Sequence, residues 1–383
     1  MKVRRVAYGL IVLLVLLVAA DVGYWKWAAN RMRDGIRTWI ADRTAEGWHV
    51  QTGKMSVGGW PVAVVAHLPN IVMAHDAAQG LGAFPAAVRL TSGAVDLLVP
   101  LYRPTTLTLS LQGEQSVQMG AAPPVLLAGD MLHVEVPLTS PANREVTLSG
   151  HGVRVQPAAK TWTVRIGTVD GQASLADAEA GAAAIDFTCS AKTIDLPTGD
   201  HAGGFRYPLG SSIADVTIDG TLNGPFPHGS PLVPPRAGAS PAGALAGSPG
   251  SPPAPTRAGV LAASATAWRD GGGSLEVKEA VLDWGPLHMT STATLALDDQ
   301  LQPMGSGSAK VSGYQEALDR LAAAGVLTKS AATVAKAMLS LLAGTGTGDN
   351  PSEVEVPLTL QYRTLSMRQV PLVRLPELDW SSP

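Results

Sequence analysis

From Val6 to Ala20 the chain runs for about 15 residues without a charge, behind Lys2, Arg4 and Arg5 and ahead of Asp21. That run predicts a membrane anchor, with Val6, Leu10, Leu13, Leu14, Leu16 and Leu17 in hydrocarbon. It is short of the roughly 20 residues that cross a bilayer, but Val22 to Trp27 extends it, and Trp25 and Trp27 sit where an aromatic belt meets the headgroups. Two other readings stand beside it. A cleaved signal peptide shares the basic start, the apolar stretch and a small-residue site at Val18-Ala19-Ala20; a buried core helix shares the apolarity alone. The pattern downstream favours an uncleaved anchor: Trp25, Ala28, Ala29, Met32, Ile36, Trp39 and Ile40 recur at steps of three and four, so one helix continues past the membrane. Gly47 is placed to cap it. The chain thus divides into an anchor over 1–23 and a juxtamembrane helix over 24–47.

After Gly47 the period falls from 3.6 to two. Leu107, Leu109 and Leu111 alternate with Thr108 and Ser110; Leu132, Val134, Val136 and Leu138 alternate with His133, Glu135 and Pro137. The same alternation recurs in Trp162, Val164 and Ile166, in Val216 and Ile218, in Ala293, Leu295 and Leu297, and in Val354, Val356, Leu358 and Leu360. Each is a strand with one apolar face. Asp170-Gly171, Asn223-Gly224 and Asp270-Gly271 read as turns between them. The expected fold is mainly β, in the α+β class: a large curved antiparallel sheet or β-groove behind an N-terminal transmembrane helix, built from regions 48–224 and 260–383.

Two segments break the alternation. Pro225 to Gly259 mixes Pro, Gly, Ala and Ser with almost no charge, and reads as a disordered insertion, with a proline-rich recognition peptide as the sharper alternative. Over 314–343 the period returns to that of helices. Tyr314, Leu318, Leu321 and Ala322 form one stripe, Gly325 breaks it, and Val334, Met338, Leu341 and Leu342 form a second. A helical hairpin packed on the sheet is expected, with a membrane-surface helix as the alternative.

Composition then excludes more than it assigns. A chain of 383 residues that is 46% hydrophobic and 15% charged has material for a large core. Its net charge of −3 leaves no basic footprint for nucleic acid. The lone Cys189 forms no intramolecular disulfide, and in its alternating run it reads as a small buried hydrophobe. The eight histidines never fall in the HxH or HxxxH spacings that set two ligands around a metal. Gly344-Thr345-Gly346-Thr347-Gly348 follows a helix and precedes a strand, the reverse of a phosphate loop. Asp298-Asp299 is the one tempting carboxylate pair, but adjacent strand residues face opposite sides, so a turn explains it better. No catalytic residue, cofactor or metal is expected, and the chain does not read as an enzyme.

The anchor followed by Gly58-Gly59-Trp60-Pro61, then Asp283-Trp284-Gly285-Pro286-Leu287, Leu297-Asp298-Asp299-Gln300-Leu301-Gln302-Pro303, Gly305 and the helical hairpin resembles a bacterial family of unknown function, DUF2125, nearly end to end. More loosely, the architecture is similar to AsmA-type envelope proteins. That resemblance implies a single N-terminal helix tethering a β-rich periplasmic body thought to handle lipids, and no catalytic residues.

The residues themselves suggest where a ligand would lie. Inner-face Leu107, Leu109, Leu111, Val134, Val136, Val354, Val356, Leu358 and Leu360 form either a core or, where the helices leave them open, a groove for acyl chains. The expected protein is therefore a single-pass inner-membrane protein with its N-terminus in the cytoplasm and its body in the periplasm, binding phospholipid or fatty acyl chains in envelope maintenance. An assembly scaffold for other envelope proteins is the alternative, and a secreted protein after signal cleavage the second.

Overall fold

A computed structural model describes residues 2–45, 47–75, 88–119, 122–138, 143–176, 183–197, 207–224, 265–343, 353–367 and 370–378. The segment 225–259 and the loop Gly344 to Gly348 lie outside these residues.

The apolar run and the stripe after it form one unbroken helix, α1 (Lys2–Ala45). At about 1.5 Å per residue its 44 residues span about 66 Å, twice a bilayer's hydrocarbon thickness of about 30 Å. Gly47 ends it in a left-handed conformation (φ 88°), its N–H donating to the Thr44 carbonyl at 3.1 Å. From Leu10 to Val18 the apolar side chains are about half exposed or more. Among the described residues, this is the one helix long and apolar enough to cross a membrane; a signal sequence has the same character.

Seventeen described strands follow in one antiparallel sheet. They are β1 (Trp48–Gln51), β2 (Ser56–Gly58), β3 (Ala63–His75), β4 (Val88–Pro100), β5 (Thr106–Met119), β6 (Val125–Ala128), β7 (Met131–Pro137), β8 (Asn143–Pro157), β9 (Val164–Ala176) and β10 (Ala183–Asp195). The second half contains β11 (Ser212–Gly224), β12 (Ser274–Trp284), β13 (Leu287–Leu297), β14 (Pro303–Ser312), β15 (Val354–Gln361), β16 (Thr364–Met367) and β17 (Val370–Arg374). From β3 to β17 the sheet is a meander, with β1 and β2 pairing with the two ends of β3, and β6 and β7 sharing the space between β5 and β8.

Register places the apolar sets of many strands on one face. Ala66, Leu97, Leu109, Val134 and Leu148 are successive cross-strand partners from β3 to β8. The row continues through Gly171 to Cys189 and Ile218, then through Ala280, Ser291 and Ala309 to Val356 on β15. Directly opposed residues of an antiparallel pair share a face, so α1 and the C-terminal hairpin cover opposite ends of one surface. At the first end Ile36 of α1 packs with Ala66 and Leu68, flanked by Met32, Ile40, Met55 and Leu97. At the other, helices α2 (Tyr314–Ala323) and α3 (Lys329–Ala343) close over Val354, Val356 and Met367, with Tyr314 buried among them.

Three expectations are corrected. Asp170-Gly171 is no turn: it lies inside β9, paired with Ser149 and Leu148 on one side and Ser190 and Cys189 on the other. Two flanking ladders outweigh the local turn preference of the dipeptide. Cys189 is exposed rather than buried, since its cross-strand neighbour on one side is Gly171, which has no side chain to cover it. The stripe of α3 is rotated from the expected one. Ala332 is buried and Leu339 packs in the core, whereas Val334, Met338 and Leu341 are 54%, 38% and 74% exposed. The ion pair of Lys336 Nζ with Asp319 Oδ1 of α2 at 2.5 Å fits that rotation, because Lys336 lies one turn from both Ala332 and Leu339.

Candidate apolar cavity

Two adjacent stripes of α1 divide the labour of helix and sheet. Trp25, Ala29, Met32, Ile36 and Ile40 face β2 and β3: Ala29 is 1% exposed, and Ala66 beneath the helix is fully buried. Small residues at 29 and 66 let the helix approach the strand closely. Next to that seam, Tyr24, Ala28, Arg31, Gly35 and Trp39 turn one face of the helix over a cavity of about 910 Å³. Its volume falls within the roughly 300–1,000 Å³ of small-molecule pockets.

The floor is the apolar face of the first strands. Val64 and Leu68 of β3, Val95, Leu97 and Val99 of β4, Leu107, Leu109 and Leu111 of β5 and Val136 of β7 all line it. Strand direction orients it. Near Ala63, Pro100, Thr106 and Pro137 the sheet lies beside Trp25, where α1 leaves its apolar run; the far end, near Met73, Leu90 and Val117, carries Thr91, Ser92, Gln115 and Ser116. Gln115, 6% exposed, donates from Nε2 to the Gln112 carbonyl at 3.1 Å, so this buried amide is satisfied within its own strand. Among the described residues Arg31 is the one charged residue in the lining.

Gly35 matters for a different reason. A Cβ built on it meets nothing within 4 Å, so the space beside this lining residue is open. Every larger side chain at position 35 would project into space that is now empty.

Helix and sheet are locked at the entrance by two indoles. Trp25 Nε1–H donates to the Ala63 carbonyl at 2.9 Å, and Trp60 Nε1–H donates to Asp21 Oδ2 at 2.9 Å. Trp60 stands in the Gly58-Gly59-Trp60-Pro61 turn, where position 59 requires glycine. Gly59 has φ 96°, and a Cβ there would lie 2.8 Å from the Ala63 carbonyl oxygen.

The structure thus divides the residues expected to form a groove. Leu107, Leu109, Leu111 and Val136 line the cavity, and Val134 shares their face as the cross-strand partner of Leu109. Val354 and Val356, 1% and 5% exposed, are core beneath α2 and α3 with Leu358 packed beside them; Leu360 is buried at 8%, and none of the four lines the cavity. Trp27, 60% exposed and stacked on Tyr24 with ring centroids 5.8 Å apart, stands at the mouth. Leu10, Leu13, Leu14, Leu16 and Leu17 remain exposed along α1, which also contains Val6. Tyr24, Arg31 and Gly35 were missed by the sequence reading. Their spacing of seven and four residues, each one position ahead of the packing stripe and so about 100° around the helix from it, is the available signal.

Elsewhere several polar groups pair locally, whereas both ring nitrogens of His75, 2% exposed, have no hydrogen-bond partner among the described residues. His67 bonds Asp96 at 2.6 Å and His288 bonds Asp283 at 2.7 Å; Asp298 Oδ1 accepts from the Gln300 and Gln302 N–H groups in a turn. Asp186 accepts from Thr221 and from Lys278 Nζ at 3.0 Å, and these bonds hold its carboxyl below the usual range. Among the described residues no three His, Cys, Asp or Glu side chains gather where a metal would bind.

The family described as uncharacterized protein conserved in bacteria, DUF2125, matches residues 25–376. That span takes in the packing stripe, most of the roof and the whole floor of the cavity. No curated protein and no solved structure matches the chain.

Proposed function

The chain belongs to the uncharacterized bacterial family DUF2125, and we propose that it is a non-enzymatic, single-pass inner-membrane protein whose extracytoplasmic body binds acyl chains between α1 and the first strands of the sheet. The observation that carries this reading is the cavity itself: a space of about 910 Å³ whose floor is aliphatic and whose roof is the continuation of the apolar helix. Such a lining favours hydrocarbon, because burying apolar surface returns about 25 cal/mol per Å² and the floor is polar only at its far end, at Thr91, Ser92, Gln115 and Ser116. Arg31 sets the head-group class. A lone guanidinium beside hydrocarbon suits a carboxylate or a phosphate, so the ligand is an anionic amphiphile. What supports this side for the body is the N-terminus: Lys2, Arg4 and Arg5 favour the cytoplasm, against Lys26, Arg31 and Arg33 on the other flank, and long domains translocate largely regardless of their own charge.

The test uses the full chain extracted in detergent. Retained lipid identified by mass spectrometry, together with saturable binding of a fluorescent fatty acid, is expected; delipidated, folded protein that binds none counts against the reading. Arg31→Gln is expected to weaken binding of the fatty acid while leaving that of its methyl ester unchanged. Equal loss for both would remove the head-group role and leave only the hydrocarbon one. Protease digestion of spheroplasts reads the side, with the body cut from outside; protection there would place it in the cytoplasm.

A further inference from the structure

Exposed apolar and aromatic side chains collect at one end of the sheet. Trp60 is 49% exposed, Val62 64%, Tyr102 79% and Leu138 52%. They come from three separate segments: the β2–β3 turn, the β4–β5 turn and the chain leaving β7. Backbone bonds tie these into one rim. The Leu101 N–H donates to the Val62 carbonyl at 3.0 Å, and the Leu138 N–H donates to the Thr105 carbonyl at 2.8 Å. The rim is in turn tied to α1 at the point where its uncharged run ends, through Trp60 to Asp21 and Trp25 to Ala63.

We infer that this rim docks onto the surface of the bilayer that α1 crosses, so that the mouth of the cavity opens against lipid rather than water. The level is dictated by the helix. Residues bonded to Asp21 and Trp25 cannot stand far from the membrane if Val6 to Ala20 lie within it. The chemistry of the rim also suits that level. Trp60 and Tyr102 join Tyr24 and Trp27 as aromatic groups of the kind that settle among headgroups, while exposed Lys26 and Arg103 supply positive charge toward anionic lipid. In water, the same four side chains of the rim would be an unsupported apolar patch. Leu101, Pro104 and Leu138 belong both to the rim and to the lining of the cavity, which makes the docked surface and the entrance continuous. The inference rests on the anchor reading and is independent of whether acyl chains bind.

The experiment places nitroxide labels on the full chain in liposomes of phosphatidylethanolamine and phosphatidylglycerol. In a Cys189→Ser background, Val62→Cys and Tyr102→Cys mark the rim, and Met119→Cys, at the opposite end of β5, marks the far side. Labels at 62 and 102 are expected to relax faster with oxygen than with a water-soluble nickel complex, and the label at 119 to do the reverse. Labels at 62 and 102 as open to nickel as the one at 119 overturn the inference. Carbonate extraction of the same liposomes separates the two levels: protein that stays in the pellet with water-exposed labels refutes the rim alone, while protein released to the supernatant refutes the anchor and the rim with it.

Discussion

The indole N–H of Trp25 reaches across 38 residues to the carbonyl of Ala63, at the first residue of β3. It fastens the helix that leaves the apolar run to the strand that begins the cavity floor. Because Ala63 itself is 8% exposed, its carbonyl has little water to turn to if the indole is removed.

Trp25→Phe keeps an aromatic ring but removes the pyrrole half of the indole and with it the donor. The expected cost is about 1 kcal/mol, the net worth of one such bond, with part-buried surroundings pushing it upward. A lower urea midpoint for the full chain in detergent micelles checks it, and a midpoint equal to wild type would mean that the bond is replaced by water.

At Gly35 the expectation runs in two directions. Gly35→Leu removes a flexible helix residue, which stabilises by about 0.5–1 kcal/mol for the change to a helix-forming side chain. The same leucine fills the space under the roof and lowers fatty-acid affinity by about tenfold or more. Calorimetry for the first and fluorescence titration for the second separate them; unchanged affinity would show that ligand does not pass beneath α1.

The two ends of the apolar face respond differently to a carboxylate. Val354 is buried beneath the hairpin, so Val354→Asp leaves an unpaired charge in a closed core and costs more than about 4 kcal/mol, enough to abolish folding. Leu109 is half-buried on the cavity floor, where Leu109→Asp can hydrate through the opening and spares the fold while ending acyl binding. Limited proteolysis distinguishes the pair. Equal resistance of both variants would contradict the assignment of one end as core and the other as cavity.

A pH-dependent clasp joins β10 to β12 across β11. Asp186 is held below its ordinary value first by the Thr221 hydroxyl and then by Lys278, and Lys278 is raised by the same carboxylate. A lowered carboxylate stabilises the fold above the unfolded value of about 3.9 and loses that contribution as pH falls through the folded value. A raised lysine contributes below its unfolded value of about 10.4 and loses that contribution as pH rises past it. The clasp is thus complete across the neutral range and weakens toward both extremes. Both groups are exposed, so the effect is small. Denaturant midpoints against pH should flatten at the acid end in Asp186→Asn, and a slope equal to wild type there would deny the clasp any part in acid sensitivity.

What the sequence revealed depended on how local the signal was. The continuation of α1 past the membrane was legible because Trp25, Ala29, Met32 and Ile36 repeat within one element, and the sheet was legible because Leu107, Leu109 and Leu111 alternate within one strand. Their meeting was not. That Leu109 faces a cavity while Val356, on the same face of the same sheet, faces a core depends on which helix covers each end, and no periodicity within a strand records that. The orientation of α3 was hidden for the same reason: Val334, Met338 and Leu341 are the most apolar face available, but the residue buried on α3, among those described, is the small Ala332 and the tie to α2 is the charged pair of Lys336 with Asp319.

A helix without a break between span and body has no swivel. On the anchor reading, about 25 residues of α1 beyond its uncharged run form a lever of about 37 Å. A tilt of about 20°, ordinary for a single span, therefore carries its far end about 13 Å sideways, with β2 and β3 fastened along it. Tilt answers to bilayer thickness, so a thinner or thicker membrane would swing the whole sheet and change how squarely the cavity mouth meets the lipid beneath it.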